Sequence, residues 1–166
     1  MQQHGDGRDG PDLTDREVDG PAGQVGVDAG PAALLERDDL DRIIADTGVT
    51  PAVNQIELHP WLPQNELRDF HSVHGIATEA WSPIAQGDVL DDPVLKKIAE
   101  EKGKSTAQVT LRWHIQRGDI VFPKSTSPAR MAENFAIFDF ELDQTDLALI
   151  SALNRDERTG PNPDEF

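Results

Sequence analysis

The chain contains no cysteine and no tyrosine, and no apolar run approaches the length of about 18 residues that a membrane-spanning helix needs. Without cysteine it can form no disulfide, no thiolate nucleophile and no thiolate metal site, so we expect a cytoplasmic setting. Positive charge is also scarce, because 15 Lys and Arg stand against 31 Asp and Glu, for a formal net charge of -16. This charge disfavours nucleic acids and anionic membrane surfaces as partners.

The composition changes near residue 33. Before that point Gly, Pro and Asp predominate, no aromatic residue occurs, and the few apolar residues show no sustained periodicity. We therefore predict that residues 1–33 form a disordered or foreign segment, without the charged and apolar regions of a secretory leader. Two origins stay open: a genuine acidic extension, or sequence introduced by an upstream frame error or gene rearrangement.

Residues 34–166 carry alternating helix and strand patterns with clear start and stop signals. The predicted strands are 52–58, 76–81 and 120–122, and the predicted helices are 38–47, 64–74, 93–102, 105–116, 128–135 and 144–154. Leu67, Phe70 and Val73 should face the core, whereas Arg112 and Gln116 should face water. Strands that alternate with helices imply an α/β fold with a parallel sheet.

The most informative segment is residues 121–134, VFPKSTSPARMAEN, which joins a short apolar strand to a helix. Ser127 followed by Pro128 predicts an N-cap and a first helical residue. The free N–H groups and the dipole of such a helix attract phosphate, and Lys124 and Arg130 lie where they would add positive charge. A solvated turn with two ordinary surface cations is the alternative interpretation of the same residues.

The surrounding charges support the phosphate interpretation. Between residues 112 and 130 the chain carries four basic side chains, those of Arg112, Arg117, Lys124 and Arg130. Asp119 is the acidic residue among them. The segment is therefore predicted to be a basic island in an acidic protein.

Three segments, in their order and spacing, resemble the last three barrel strands and following loops of the aldo-keto reductases: 53–60 (VNQIELHP), 78–83 (TEAWSP) and 121–134. Residues 158–164, RTGPNPD, also resemble the tail of bacterial members related to 2,5-diketo-gluconate reductase. The resemblance implies that residues 34–166 are the C-terminal portion of a (β/α)8 TIM barrel, with about three to four parallel strands. Since a complete barrel has about 250 residues, it also implies unpaired strand edges that favour self-association.

The resemblance further implies an NADPH site at the C-terminal ends of the strands. Gln55 matches the residue that contacts the nicotinamide carboxamide, Trp81 matches the aromatic residue that stacks on the nicotinamide ring, and Ser82 begins the pyrophosphate loop. The other matched residues surround the 2′-phosphate (Lys124, Ser125, Thr126 and Arg130) and the adenine (Glu133 and Asn134). Without the resemblance, Gln55 and Trp81 would be interpreted as interior side chains, and Glu133 as an intrahelical ion-pair partner of Arg130.

No residue of this chain is assigned a catalytic or metal-binding role. In the family, a Tyr supported by Lys, Asp and His donates a proton to the carbonyl oxygen, and all four lie upstream of the matched region. Loss of such an acid typically slows a reaction about 10²- to 10⁴-fold. We also expect no histidine with a carboxylate partner at a spacing suited to general acid catalysis, and no metal site at His71 and His74, which lack further ligands.

Two functional classes follow from these observations. The first is an NADPH-dependent reductase of aldehydes, ketones or keto-sugars, represented by a truncated form that is inactive by itself. The second is a non-catalytic module, either an NADPH-binding remnant or a half-barrel that pairs with another chain. An upstream segment that carries the four catalytic residues would distinguish the first class from the second.

Overall fold

A computed structural model describes residues 35–162 of the chain. The predictions for residues 1–33, and for the tail beyond residue 162, lie outside the described residues. In chain order the elements are α1 (Arg37–Thr47), β1 (Val53–Glu57), α2 (Asn65–His74), β2 (Ala77–Trp81), a 3₁₀ segment (Ala85–Asp91), α3 (Pro93–Lys102), α4 (Thr106–Gln116), β3 (Ile120–Val121), α5 (Pro128–Phe135) and α6 (Gln144–Ser151). Within this range, no helix combines the length and the apolar character needed to cross a membrane.

The three strands form one parallel sheet with β2 in the centre. Val53 pairs with Ala77 across β1 and β2, and Glu79 pairs with Ile120 across β2 and β3. Helix α2 connects the first pair, and α3 and α4 connect the second, because parallel neighbours need a crossover. In residues 35–162 the outer edges of β1 and β3 have no neighbouring strand, so the predicted incomplete α/β barrel is confirmed as an open sheet.

The two faces of the sheet differ in cover, because successive side chains of a strand point to opposite faces. Ile56 and Ala80 lie in the hydrophobic core, together with side chains of α2, α3 and α4. The other face carries Gln55, Glu79 and Trp81, which are only half-buried. The helices therefore cover one face and leave the predicted site residues of the strands on the opposite one.

Three predicted side-chain environments are wrong: those of Val73, Arg112 and Gln116, the last being half-buried with its side-chain amide hydrogen-bonded to the backbone of Leu142. Val73 of α2 is 81% exposed, whereas His71 of the same helix is 1% exposed and hydrogen-bonds to side chains of β1 and β2. Arg112 does not face water but is 9% exposed, because its guanidinium donates to the carbonyl of Ile137 at 3.1 Å. Helical periodicity predicts which face of a helix is apolar, but it does not identify distant hydrogen-bond partners.

The third strand is shorter and less buried than predicted. It spans Ile120–Val121, and Ile120 is 38% exposed while the following Phe122 is 65% exposed. In the described part of the chain β3 pairs only with β2, so nothing covers its far side. The apolar residues that predicted a buried strand here lie at an open edge instead.

Candidate cofactor site

The carboxyl ends of β1 and β2 bring polar side chains to one face of the sheet. In the strand register Gln55 lies beside Glu79, and Glu57 lies beside Trp81. The side-chain amide of Gln55 donates a hydrogen bond to the carboxylate of Glu79, which fixes its orientation. Asn54 points the other way, and its amide donates to the backbone ahead of α1 at 2.7 Å.

The loop that follows Trp81 has an unusual backbone. Ser82, Ala85 and Gln86 have φ values of 52°, 50° and 56°, in the left-handed region that side chains other than glycine rarely adopt. The Ser82 hydroxyl accepts a hydrogen bond from the Gln86 backbone N–H at 3.2 Å, which supports the turn. Each such residue costs on the order of 1 kcal/mol or more, and strain of this kind concentrates at ligand-binding segments. Residues 82–87, with Gln55 and Trp81, are called the nicotinamide end below.

A buried polar chain anchors this loop from beneath. His114 of α4 is completely buried, and its Nε2 donates to the carbonyl oxygen of Pro83 at 2.9 Å. Its Nδ1 lies 3.1 Å from the carboxylate of Asp119, which also accepts from Arg68 at 2.9 Å. Burial raises the pKa of Asp119, but the hydrogen bond from His114 and the charge of Arg68 outweigh it, so that pKa is lowered overall. The ionised carboxylate thus connects the loop to the scaffold.

The second group of predicted residues lies around the start of α5. Ser127 is the N-cap, and its hydroxyl accepts from the backbone N–H of Arg130 at 3.4 Å. The hydroxyl of Ser125 accepts from the N–H of Ser127 at 3.1 Å, so the turn before the helix is ordered by its own side chains. Lys124 and Thr126 are exposed beside it. Residues 124–134 are called the phosphate end below.

The two cations of the phosphate end have no ionic partner. Lys124 and Arg130 are both exposed, and neither forms an ion pair within residues 35–162. Glu133 is half-buried, and its alternative role as an ion-pair partner of Arg130 is not seen in the same part of the chain. Asn134 is also half-buried, one helical turn after Arg130. The positive charge next to the helix start is therefore not neutralised by neighbouring side chains.

The predicted basic island is smaller in the structure than in the sequence. Arg117 donates to the carbonyl of Pro63 at 3.0 Å and lies 4.1 Å from the centre of the Trp113 ring. Arg112 is held by the Ile137 carbonyl. Both arginines are therefore scaffold residues, because their donors are used by the fold. Only Lys124 and Arg130 of the four have their charged groups at the surface.

Sequence reasoning missed one residue of this region, Glu57. Its side chain is 1% exposed, and one carboxylate oxygen accepts hydrogen bonds from the backbone N–H of Thr159 at 2.7 Å and of Gly160 at 3.1 Å. Burial raises the pKa of Glu57, but the hydrogen bonds from Thr159 and His59 more than offset it, so the pKa is lowered. The available signal was a charged residue between two apolar ones, Ile56 and Leu58, in the predicted strand.

Two of the histidines that the structure describes have carboxylate partners. His59 Nε2 lies 3.1 Å from Glu57, and His114 Nδ1 lies 3.1 Å from Asp119. All four side chains are fully buried, so neither pair can reach a substrate at the surface. Burial lowers the pKa of His59, which keeps its ring neutral. Residues 35–162 contain no group of three or more His, Asp or Glu side chains that could hold a metal ion.

Comparison with known proteins gives a consistent result. The chain is 57% identical over 132 residues to an aldo-keto reductase of Mycolicibacterium smegmatis, a match that covers 80% of this chain and 48% of the relative. It is 54% identical over 127 residues to the glyoxal reductase of Bacillus subtilis, covering 76% of this chain and 46% of the relative. The chain thus spans about half the length of these relatives.

The solved structures agree with the sequence matches. A Gox0644 mutant in complex with NADPH superimposes with a TM-score of 0.78 at 47% identity, covering 81% of this chain and 50% of that one. Residues 35–155 also match the sequence model of the aldo/keto reductase family. That range includes both strand ends and the whole phosphate end. The chain therefore belongs to the aldo-keto reductase family.

Proposed function

We propose that this chain is the cofactor-binding half of an NADPH-dependent reductase of aldehyde or ketone carbonyls. The observation that carries the proposal is the pair Lys124 and Arg130 beside the capped start of α5, both exposed and without an ion-pair partner in residues 35–162. A phosphate monoester at this position would gain charge-assisted hydrogen bonds from both side chains and from the helix N–H groups. A relative of the same fold has been solved with NADPH.

The donor set fits NADPH better than NADH. NADPH differs by one 2′-phosphate, and the guanidinium of Arg130 offers the planar fork of donors that phosphate prefers. We assign Lys124, Ser125, Thr126 and Arg130 to the phosphate, and Glu133 and Asn134 to the adenine. The negative charge of the chain elsewhere makes this small positive surface the favourable place for an anion.

At the other end, the side chains of the strands orient the nicotinamide. When bound, NADPH supplies a hydride to the carbonyl carbon of the substrate. The Trp81 ring gives a flat apolar surface for stacking, and the Gln55 amide, oriented by Glu79, gives a hydrogen-bonding group for the carboxamide. Ser82 and the strained loop after it lie beside the pyrophosphate. The chain thereby binds NADPH and orients its nicotinamide ring, which is the part of catalysis that depends on proximity.

Among residues 35–162 we assign no donor for the proton that must reach the carbonyl oxygen. The sequence contains no tyrosine, and the buried histidine pairs cannot contact a substrate. We therefore propose that the chain by itself reduces carbonyls at most slowly, and that upstream residues of a full-length form supply the acid. The name of the Bacillus subtilis relative suggests small dicarbonyl compounds as the first substrates to test.

The direct test is an NADPH titration of the purified chain, followed by quenching of tryptophan emission, with size-exclusion chromatography of the same sample. Saturable binding by a compact species is the expected result. No binding by a compact species would contradict the proposal. The same sample should show no consumption of NADPH with glyoxal, since measurable turnover would mean that another proton donor is present.

A second candidate function is favoured by the open edge of β3. Phe122, directly after β3, is 65% exposed, and Phe135 and Phe138, whose ring centres lie 5.9 Å apart, are 77% and 61% exposed. Exposed strand edges and apolar patches are sites of association. The alternative is thus a non-catalytic half-barrel that self-associates or pairs with another chain. Light scattering decides this point: Phe122→Asp should reduce the mass of the species if the edge associates, and leave it unchanged otherwise.

The cytoplasmic location and the lack of nucleic-acid partners remain predictions from composition. Both follow from the scarcity of cysteine and of positive charge. Binding of NADPH would not depend on either. A nucleic-acid gel-shift experiment at low salt is the simple check of the second prediction, and we expect no shift.

A further inference from the structure

We propose that Glu57 is a positioning residue, which acts through residues 155–160, called the tail segment, to set Trp81 and the loop 82–87 against the nicotinamide half of the cofactor. This inference rests on the proposed NADPH site and deepens it. It assigns a role to a buried carboxylate that touches none of the six residues assigned to phosphate or adenine. It also gives the tail segment a function in cofactor binding.

One carboxylate oxygen of Glu57 accepts an unusual number of hydrogen bonds. Oε1 of Glu57 accepts from the Thr159 backbone N–H at 2.7 Å, from the Thr159 hydroxyl at 2.6 Å and from the Gly160 N–H at 3.1 Å. The carboxylate is buried, so these charge-assisted bonds are stronger than ordinary neutral ones. The end of the tail segment is therefore fixed to the C-terminal end of β1.

The same two tail residues, Thr159 and Gly160, also contact the nicotinamide end. The carbonyl oxygen of Thr159 accepts a hydrogen bond from the side-chain amide of Gln86 at 3.1 Å, within the strained loop. Gly160 lies directly against Trp81, because a Cβ built on it would be 2.8 Å from Cζ3 of the ring and closer still to Cη2. No other residue type fits there without moving either the ring or the tail segment.

The effect of Glu57 should be local to residues 159 and 160. The earlier part of the tail segment has its own attachments: the backbone N–H of Arg155 donates to the carbonyl of Trp61 at 2.9 Å, and Arg158 forms an ion pair with Glu36. Removal of the Glu57 charge would therefore release Thr159 and Gly160 without detaching the whole segment. These are the two residues that contact Gln86 and Trp81.

The charge of Glu57 matters as well as its shape. Its second oxygen, Oε2, is buried without a hydrogen-bond partner and lies 3.9 Å from a guanidinium nitrogen of Arg158. In Glu57→Gln the amide could keep an oxygen toward Thr159, but it would then present its NH₂ group to Arg158. The substitution thus weakens the attachment while it preserves volume, which makes it the sharpest single change.

The first arm of the test needs no cofactor. Amide hydrogen exchange is measured by mass spectrometry on the 166-residue chain, its Glu57→Gln variant and a Glu101→Gln control, which changes an exposed carboxylate of α3. Glu57→Gln should accelerate exchange in peptides that cover both 155–162 and 82–87, whereas the control should change neither. Faster exchange in the tail peptide alone would overturn the inference, because the coupling to the loop would be missing.

The second arm separates positioning from general weakening of the fold. Affinity is measured for NADPH and for adenosine 2′,5′-bisphosphate, which carries the 2′-phosphate but no nicotinamide. Glu57→Gln should weaken NADPH binding about tenfold, the order expected when the displaced loop 82–87 loses one hydrogen bond to the cofactor. Binding of the bisphosphate should be unchanged. Equal weakening of both ligands would assign Glu57 a structural role only and overturn the inference.

Two further variants keep the test decisive if Glu57→Gln does not fold. Thr159→Val removes one hydroxyl donor at constant shape, and Gly160→Ala forces a shift between the tail segment and the Trp81 ring. Each should show the same selective exchange increase at 82–87, and its absence in both would contradict the inference. If the unmodified chain binds neither ligand, the proposed function fails, while the exchange arm still decides whether Glu57 controls the loop.

Discussion

The nicotinamide end and the phosphate end of the candidate site are built in opposite ways. At the nicotinamide end, Trp81 and the strained loop are held by three other parts of the chain: the buried side chains of His114 and Glu57, and residues 159–160 of the tail segment. At the phosphate end, a single turn and helix supply the whole arrangement, and Lys124 and Arg130 are exposed. One end is fixed by tertiary structure, and the other by local sequence.

This difference separates stability from affinity. Changes in the buried groups of the nicotinamide end should affect folding, because each of them satisfies another buried group. Changes in the exposed cations should affect only the affinity for the ligand, since exposed charges contribute little to the free energy of folding. Substitutions at the two ends can therefore test the division, beginning with the largest expected effect.

Asp119→Ala should destabilise the fold more than substitutions at His71, Arg130 or either serine cap. Asp119 is 3% exposed and binds Arg68 and His114, so its removal leaves buried donors without a partner. Breaking a buried ion pair in this way typically costs about 3–5 kcal/mol. The free energy of unfolding in urea measures the loss. Asp139→Ala, which removes an exposed partner of Lys104, is the control, and an equal loss in both variants would contradict the division.

Mild acid should destabilise the scaffold beneath β1 and β2 through His71. Burial lowers the pKa of His71 to about 4, from 6.5 in the unfolded chain. The unfolded state therefore binds the proton more tightly, so this stability is complete above pH 6.5 and is lost as the pH falls from 6.5 to about 4. The loss amounts to at most about 3 kcal/mol.

Urea unfolding at a series of pH values checks this expectation. His71→Gln should be less stable than the unmodified chain at neutral pH but should show a shallower decline between about pH 6.5 and about pH 4. His59, whose pKa burial also lowers, should keep a residual slope. The lowered pKa values of Glu57 and Asp119 act at more acidic pH, because the stability of an ionised carboxylate is lost only as it becomes protonated. Identical slopes in both proteins would exclude His71 as the source.

Arg130→Ala should change cofactor preference without changing stability. The side chain is exposed and has no ion-pair partner in residues 35–162, so its loss costs the fold little. A charged hydrogen bond to phosphate is worth about 1.5–3 kcal/mol, so NADPH should bind roughly 10- to 100-fold more weakly while NADH is unaffected. Arg42→Ala, on exposed α1, is the matched control. Equal loss for both cofactors would refute the 2′-phosphate assignment.

The same division explains which features could be predicted from sequence. The boundaries of α3 and α5 and the cap at Ser127 depend on neighbouring residues, and the prediction was correct for all three. The parallel arrangement, predicted from the alternation of strands with helices, was also correct. The phosphate end is equally local, since Lys124 and Arg130 lie within one turn of their helix start. A single sequence was sufficient to place Lys124 before the helix start and Arg130 in its first turn, and the family resemblance added their assignment.

The buried polar groups of the scaffold, including the support of the nicotinamide end, could not be predicted in the same way. The burial of His71 depends on polar side chains of two strands, and that of Arg112 on a carbonyl 25 residues away. Glu57 depends on partners 102 and 103 residues later in the chain. Hydrophobic periodicity identifies which face is apolar, but it does not identify the distant partner that makes a buried polar group favourable. The polar supports of Trp81 therefore appeared only in the structure.

The smallest expected effect comes from matched N-caps at the two ends. Ser105 caps α4 of the scaffold in a full capping box, and Ser127 caps α5, which contains no buried residue. Loss of either hydroxyl should cost about 1 kcal/mol. In Ser105→Ala this should lower the global free energy of unfolding, because α4 packs in the core. In Ser127→Ala it should instead appear as faster amide exchange in the first turn of α5 and as weaker NADPH binding, with little change in global unfolding. If Ser127→Ala reduced global stability as much as Ser105→Ala, α5 would be part of the cooperative scaffold, and the phosphate end could not be treated as a locally encoded unit.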